Sequence, residues 1–190
     1  MKTDPERPHK DRIIQEILSE IPGISPKLLS AAIRIPRSPF FPGDPIEVLF
    51  SDRRQTGWGN RPVPTVKETL RILGELELQP GDRVAVYRPT DPYFLLLLLE
   101  MTHRVTLIEE NGDMLRTMRI AMSDLGHPYV RFAFSYDKIK EDREPFRYFI
   151  SLGERDPSTQ LPGEADPPIP PANYRIWILS KGLERVVPGG

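Results

Sequence analysis

The sequence predicts a single α/β domain built on a mostly parallel β-sheet with helices on both faces. Between residues 65 and 151, short apolar segments of strand type alternate with segments of helical periodicity, which is the spacing of βαβ units. The length of 190 residues suits one domain with one hydrophobic core. A content of 38% hydrophobic and 28% charged residues is that of an ordinary globular protein.

The N-terminal part is predicted to be helical. Residues 1–9 are polar and are predicted to form a disordered tail, followed by an N-terminal helical segment over residues 10–64. From Asp11 onward, apolar residues recur at helical spacing until Pro22 ends the first helix. Ser25 and the proline after it predict the start of a second helix, because serine is a favoured N-cap and proline fits the first turn.

Residues 65–151 are predicted to form the α/β core. The core opens with a capping box, in which Thr65 is the N-cap and Glu68 lies three residues on. Two more helices are predicted to begin after Asp91 and Asn111. The predicted strands are Arg83–Tyr87, Arg104–Glu109, Val130–Phe134 and Phe146–Ser151. Ligands of parallel sheets sit beyond the carboxyl ends of the strands, so the loops that follow these strands are the candidate site.

The C-terminal part is predicted to contain a loop and a hairpin. Residues 152–173 hold six prolines and show no periodicity, which predicts a long proline-rich loop. Residues 174–190 are predicted to form a C-terminal hairpin, with one strand up to Ser180 and a second from Leu183.

Charge and composition exclude several classes of function. The formal net charge is -1, from 26 basic and 27 acidic residues, so binding to nucleic acid is not expected from the overall charge, although a local basic patch stays open. The absence of cysteine excludes disulfides, thiolate metal sites and a cysteine nucleophile. The scattered histidines His9, His103 and His127 predict no metal site. The N-terminus lacks a signal-peptide pattern and no apolar run is long enough for a membrane span, so we predict a soluble, cytoplasmic protein without a membrane partner.

Several segments resemble protein-L-isoaspartate O-methyltransferases. The segment GISPKLLSAAIRIPRSPFFP, at residues 23–42, is similar to the helical N-terminus of that family. Gly57-Trp58-Gly59 resembles its glycine-aromatic-glycine sequence, and LGELELQPGDRV, at residues 73–84, resembles the segment before its first strand. The likeness covers roughly residues 12–151. It implies a Rossmann-like fold of the S-adenosylmethionine-dependent methyltransferases, here with a shortened C-terminal part.

The sequence departs from that family in the loop that would hold the cofactor. The family has a GxGxG loop after its first strand, and the three glycine positions are Arg88, Thr90 and Pro92 in this sequence. Glycine is needed there because the backbone turns tightly and approaches the ligand closely. Asp91 is predicted to cap the following helix, and Arg88 to pair with Asp91 or Glu109. No cofactor is therefore expected, and S-adenosylmethionine would bind only if the site survives.

The remaining site positions are also changed. The resemblance gives Glu109 the place of the carboxylate that binds ribose hydroxyls, so Glu109 is a vestigial contact or a partner for a neighbouring cation. The family has a catalytic serine after the glycine-aromatic-glycine sequence, whereas residues 60–65 contain no serine and Thr65 is predicted to serve the capping box. Asp137 is a further candidate for a contact on the adenine side. No catalytic residue is predicted.

Three functions remain open at the level of sequence. The first is a pseudoenzyme that has lost cofactor binding and catalysis and acts as a protein-interaction or structural module with an unknown protein partner. The second is a divergent S-adenosylmethionine-dependent methyltransferase acting on isoaspartyl carboxylates or another acceptor. The third is a binder of anionic ligands or peptides, which would use Arg88 and Arg61 in the crevice at the strand ends.

Overall fold

The computed structural model describes residues 4–139, 144–152, 173–178 and 183–188. The proline-rich loop predicted at residues 152–173 lies outside the described residues except at its two ends. Within the described part, no helix combines the length and the apolarity that crossing a membrane requires.

Six α-helices lie among the described residues, all before or between the parallel strands, and five of them were predicted. Their bounds are α1 Arg7–Glu20, α2 Pro26–Arg34, α3 Ile46–Leu49, α4 Val66–Gly74, α5 Pro92–Met101 and α6 Gly112–Asp124. The helix α3 is short and lies in a segment for which the sequence showed no periodicity. The capping box at the start of α4 is confirmed, since the Thr65 hydroxyl accepts from the Glu68 amide and the Glu68 carboxylate accepts from the Thr65 amide.

The disordered tail predicted for residues 1–9 is wrong for residues 7–9, because α1 already begins at Arg7. The preceding Glu6 is buried and its carboxylate accepts hydrogen bonds from the backbone amides of Arg37 and Ser38. One turn later, Lys10 is also buried, and its Nζ lies 3.0 Å from Oε2 of Glu6. The same Nζ donates to the carbonyl oxygens of Ile33 and Ile35. These long-range bonds fix the start of α1, and sequence periodicity carries no signal for them.

The described strands form one mostly parallel sheet. The strands are β1 Arg83–Tyr87, β2 Arg104–Ile108, β3 Arg131–Ala133, β4 Tyr148–Ser151, β5 Asn173–Ile178 and β6 Leu183–Pro188, in the order β3-β2-β1-β4-β5-β6. The strands β3, β2, β1 and β4 are parallel to one another. The strands β5 and β6 add an antiparallel pair at the β4 edge, which confirms the predicted C-terminal pairing.

The two faces of the sheet contribute to two separate apolar clusters. The larger cluster combines Val84 and Val86 of β1 with side chains from helices α1, α2, α4, α5 and α6. The smaller cluster contains the alternate residues Ala85 and Tyr87, together with Ile139 and Phe146 of the segment between β3 and β4. This alternation is the period of two that a strand imposes on its side chains.

The sheet flanked by helices is as predicted, but helices on its second face are not found in the described ranges. The steps from β1 to β2 and from β2 to β3 run in the same direction, so right-handed crossovers place α5 and α6 on one face. The second face would be covered by segments that follow β3 and β4. After β3, the described chain supplies a 3-10 helix at Tyr136–Lys138 and the apolar side chains of Ile139 and Phe146 instead of an α-helix.

Candidate functional site

The candidate site lies at the carboxyl ends of β1 and β2, beside the point where the strand order reverses. The chain runs outward from β1 to β2 and β3, and then returns to place β4 on the other side of β1. Such a reversal opens a crevice in which α/β proteins bind their ligands. Three segments meet here: the loop 88–92 after β1, residues 109–111 after β2, and the turn 57–61 from the N-terminal part.

The loop after β1 keeps a backbone conformation typical of glycine although it has none. Arg88 adopts a φ of 51°, in the left-handed region that favours glycine. Its amide donates to the carbonyl oxygen of Ile108 at 2.9 Å, which ties the loop to β2. At the first of the three positions where the family has glycine, this chain therefore keeps a left-handed backbone but carries a half-buried arginine side chain.

The rest of this loop is closed by its own hydrogen bonds. Asp91 is the N-cap of α5, as predicted, because its carboxylate accepts from the amide of Phe94 at 3.0 Å. The hydroxyl of the buried Thr90 donates to the other carboxylate oxygen at 3.1 Å. Pro92 is the first residue of α5 and has no amide hydrogen to offer. Two of the loop's polar side chains are thus used within the loop.

A buried arginine lies behind the loop. Arg37 is fully buried, its guanidinium lies over the rings of Phe41 and Tyr93 at 5.0 and 5.1 Å, and it donates to Gln55 and to the Pro64 carbonyl oxygen. Burial raises the pKa of Asp91, and the positive charge of Arg37 and the bonds of the cap only partly offset that rise. The positive charge of Arg37 therefore favours the ionised form of Asp91, which burial in the core disfavours.

The turn 57–61 packs directly on the loop after β1. The amide of Trp58 donates to the Thr90 carbonyl oxygen at 2.7 Å. A Cβ added at Gly57 would fall far inside contact distance of that same oxygen, so only glycine allows this approach. The turn is closed by a bridge between Thr56 and Pro62 and by a hydrogen bond from the Gly57 amide to the Arg61 carbonyl oxygen.

The turn also delivers a cation to the end of β2. Glu109 is 1% exposed, and its Oε2 lies 2.5 Å from Nη1 of Arg61. Its Oε1 accepts from the amide of Asn111 at 3.0 Å. The Arg61 side chain is 12% exposed and also reaches the Pro89 carbonyl oxygen at 3.4 Å. One ion pair thus joins the turn, the loop after β1 and the end of β2.

The structure places the predicted positions near one another. Arg88, Thr90, Asp91, Pro92 and Glu109 lie at the carboxyl ends of β1 and β2, and three of them are buried there: Thr90, Asp91 and Glu109. The partner found for Glu109 is Arg61, which lies 48 positions earlier in the chain; pairing of Arg88 with either carboxylate stays a prediction. The left-handed residues Gly59 and Asn60 mark the turn that delivers Arg61, and the glycine-rich sequence there was the available signal.

The other candidates lie outside the crevice or serve the fold. Thr65 caps α4 and is buried together with Glu68, so its hydroxyl is occupied. Asp137 is exposed, in the short 3-10 helix after β3. No group of three histidine, aspartate or glutamate side chains suited to a metal ion occurs in residues 4–139, 144–152 and the two C-terminal strands.

One solved structure supports the fold directly. A protein-L-isoaspartate O-methyltransferase superimposes with a TM-score of 0.52 at 17% sequence identity, covering 65% of this chain and 41% of that chain. This chain therefore spans about two fifths of the length of that protein, and at such an identity the likeness shows the fold alone. The Rossmann-like methyltransferase fold is confirmed. No protein-family model matches the sequence, and no curated protein matches it either.

Proposed function

We propose that this chain is a methyltransferase-fold protein whose cofactor crevice is filled by its own side chains, and that it acts as a non-catalytic interaction or structural module. The observation that carries the proposal is the ion pair between Arg61 and Glu109, which is nearly buried and has an N–O distance of 2.5 Å. It occupies the position at which a carboxylate at the end of β2 would meet a ribose.

A ligand hydroxyl at Glu109 would have to replace strong bonds. Both carboxylate oxygens are already used, one by Arg61 and one by the Asn111 amide. Hydrogen bonds between charged groups are roughly twice as strong as neutral ones. Displacing Arg61 would also leave a charge without its partner in a buried place, which is strongly unfavourable.

The loop after β1 is equally unsuited to a cofactor. Arg88, Thr90 and Pro92 each have a Cβ atom at a position where the family has glycine. The Thr90 carbonyl oxygen already accepts a hydrogen bond from the Trp58 amide. A methyl sulfonium is a cation, so an arginine at position 88 places a like charge in the loop that it would have to approach. Geometry and charge therefore argue against the same ligand independently.

Calorimetric titration with S-adenosylmethionine and S-adenosylhomocysteine tests the proposal. We expect no binding heat and no rise of the melting temperature at millimolar ligand, with an active isoaspartyl methyltransferase as the positive control. We also expect no methyl transfer to an isoaspartyl peptide. Micromolar affinity for either compound, or transfer above the background without enzyme, would refute the loss of cofactor binding.

A divergent methyltransferase is the second candidate, and one observation favours it. Glu109 stays at the carboxyl end of β2 and is buried, as a ribose contact would be. If the chain does bind S-adenosylhomocysteine, Glu109→Gln should weaken the affinity strongly, because the amide keeps the size but loses the charge. An equal affinity of Glu109→Gln and the unchanged chain would place the ligand elsewhere.

The third candidate, a binder of anionic ligands, is tested at Arg88, because replacing Arg61 would also break its ion pair with Glu109. Replacing Arg88 with alanine should then weaken binding of an anionic peptide in a fluorescence titration. Arg116, an exposed arginine on α6, provides the matched control for the loss of one positive charge. Equal effects of the two substitutions would rule this reading out.

A further inference from the structure

Three buried polar atoms behind the loop 88–92 have no hydrogen-bond partner among the described residues. Two are Nε and Nη1 of Arg37, and the third is the hydroxyl oxygen of Tyr93. Both side chains have an exposed fraction of 0%. Apart from them, one such atom is found in the described ranges, on Thr69 of α4. Buried polar atoms are nearly always hydrogen-bonded, so three in one place indicate a partner from outside the chain.

The side chains of Arg37 and Tyr93 are neighbours. Cζ of Arg37 lies 5.1 Å from the centroid of the Tyr93 ring and 5.0 Å from that of the Phe41 ring. Such contacts favour the positive charge but give the N–H groups at the edge of the guanidinium no acceptor. The N–H groups of Nη2 donate to the Gln55 side chain and to the Pro64 carbonyl oxygen. The N–H groups of Nε and Nη1 are therefore the ones left for a ligand.

The charges around Arg37 favour a neutral occupant. Burial lowers the pKa of Arg37, and the negative charges of Asp91 and Glu6 act against that lowering. The Glu6 carboxylate accepts from the backbone amide of Arg37 at 3.0 Å, and Asp91 caps the helix that carries Tyr93. An anion bound here would be repelled by both carboxylates, and a cation would be repelled by the guanidinium. A small neutral molecule that both donates and accepts hydrogen bonds fits these surroundings, and water has this chemistry.

We propose that ordered water is bound between Arg37 and Tyr93, where its oxygen accepts from the open N–H groups and the tyrosine hydroxyl completes its bonding. Buried waters typically bond to about three polar groups that the protein leaves unsatisfied. Arg37 follows α2 in the N-terminal part, whereas Tyr93 lies in the first turn of α5. The water therefore joins the N-terminal helical segment to the core, directly behind the loop 88–92. This site is independent of the ion pair between Arg61 and Glu109 on which the proposed function rests.

Overhauser spectroscopy on the isotope-labelled full chain tests for the water directly. We expect a cross-peak between the water resonance and the Nε–H proton of Arg37, because a bound water stays beside that proton for longer than the protein takes to tumble. The amide of Val86, fully buried in the central strand β1, is the internal control and should show no such cross-peak. An Arg37 resonance without a water cross-peak would overturn the proposal.

The substitution Tyr93→Phe tests the hydroxyl separately, because it keeps the ring beside Arg37 and removes one oxygen atom. Loss of a hydroxyl that is bonded to water should raise the unfolding equilibrium constant by roughly fivefold in urea unfolding. Removal of a buried hydroxyl that has no partner should instead stabilise the protein, and that result would contradict bound water. Tyr129→Phe, at a tyrosine that is 53% exposed, is the matched control and should change the constant by no more than roughly twofold.

The choice between water and an anion is tested by the salt used in the unfolding experiment. Water binding predicts equal urea midpoints in sodium chloride and in sodium gluconate at the same ionic strength, for the natural chain and for Tyr93→Phe alike. A bound chloride ion would stabilise the folded protein as its concentration rises. A midpoint that is higher in chloride for the natural chain, with a smaller difference for Tyr93→Phe, would overturn the proposal and assign the site to an anion.

Discussion

The two ends of the parallel sheet differ in how far their charged side chains are buried. At the carboxyl end, two acidic residues are buried and bonded. Asp91 accepts from the amide of Phe94 as the N-cap of α5, and Glu109 pairs with Arg61 and accepts from the Asn111 amide. At the amino end, Arg83 and Arg104 are neighbours in the register, and the Arg104 side chain is 47% exposed. The acidic residues at the end where this fold usually binds ligands are thus bonded within the protein, whereas Arg104 at the other end is about half exposed to solvent.

Solvent access explains why both arrangements are tolerated. Repulsion between exposed charges is screened by water and salt, so the arginines at the amino end cost little. At the carboxyl end there is little water to compensate a lost bond, and each charged group depends on its partner. The exposed charge of Arg104 therefore contributes little to stability, whereas the buried charges at the carboxyl end depend on their partners.

The strongest test of this comparison is removal of the buried ion pair. Glu109→Ala should lower the free energy of unfolding by about 3–5 kcal/mol, because Arg61 is left without its charged partner in a buried position. Arg61→Ala should cost a similar amount, since Glu109 is 1% exposed. Urea unfolding followed by far-ultraviolet circular dichroism measures both values.

The double variant measures the interaction between Arg61 and Glu109 separately from the other contacts of each side chain. If the ion pair closes the crevice, the combined change Arg61→Ala and Glu109→Ala should cost much less than the two single changes added together. Additive costs would mean that each side chain contributes through other contacts. In that case the carboxyl end is no more strongly coupled than the amino end, and the comparison fails.

The close packing of the turn on the loop gives the next largest effect. Gly57→Ala should destabilise the protein by about 1–3 kcal/mol, because the new methyl group would overlap the Thr90 carbonyl oxygen and the Val63 side chain. Gly81→Ala is a matched control, since a Cβ there meets no atom within 4 Å. Similar melting temperatures for the two variants would show that the turn 57–61 can shift away from the loop 88–92 at no cost in stability.

The fold was largely accessible from the sequence because it rests on local signals. The capping box at Thr65, the cap at Asp91 and the apolar runs of β1 and β2 each need only a few neighbouring residues, and all were predicted correctly. The start of α1 was missed, because Glu6 is held by amides more than thirty positions away. Burial of a polar residue by distant partners leaves no periodic pattern.

The site was predictable in position but not in its bonds. Parallel-sheet topology alone places Arg88 and Glu109 at one edge. The partner of Glu109 depends on how the turn 57–61 folds back, which rests on the left-handed backbone of Gly59 and Asn60. The alignment of arginines at the other end was not predicted either, because the register that places Arg83 beside Arg104 and Arg131 beside Thr106 appears only when the strands pair.

The pH dependence of unfolding tests the burial of Asp91 at the carboxyl end, where we expect a smaller effect than in the preceding tests. Burial raises the pKa of Asp91 above its ordinary value, so its ionised form is less favourable in the folded protein than in the unfolded one. The unfolding free energy of the natural chain should therefore rise, relative to that of Asp91→Asn, as the pH falls from about 7 towards about 4. Asparagine keeps the cap but does not titrate.

The difference between the two unfolding curves is the quantity to measure. Other carboxylates act in the opposite direction: hydrogen bonds from Ser38 and Arg37 outweigh burial and lower the pKa of Glu6, so its contribution is lost at low pH. Terms of this kind cancel when the natural chain and Asp91→Asn are compared at each pH. A difference that stays constant, or falls, with decreasing pH would contradict the raised pKa.

The smallest effect is expected at the amino end, and it decides whether the comparison holds. Arg104→Ala removes an exposed ion pair with Glu144 and at the same time a repulsion with Arg83, so the free energy of unfolding should change by no more than about 0.5 kcal/mol. Urea unfolding side by side with Arg61→Ala measures this. A loss at Arg104 as large as that at Arg61 would show that the exposed arginine stabilises the fold as much as the buried one, and the comparison would fail. A change close to zero at Arg104, beside a large loss at Arg61, would show that solvent exposure decides how much a charged side chain contributes at each end of the sheet.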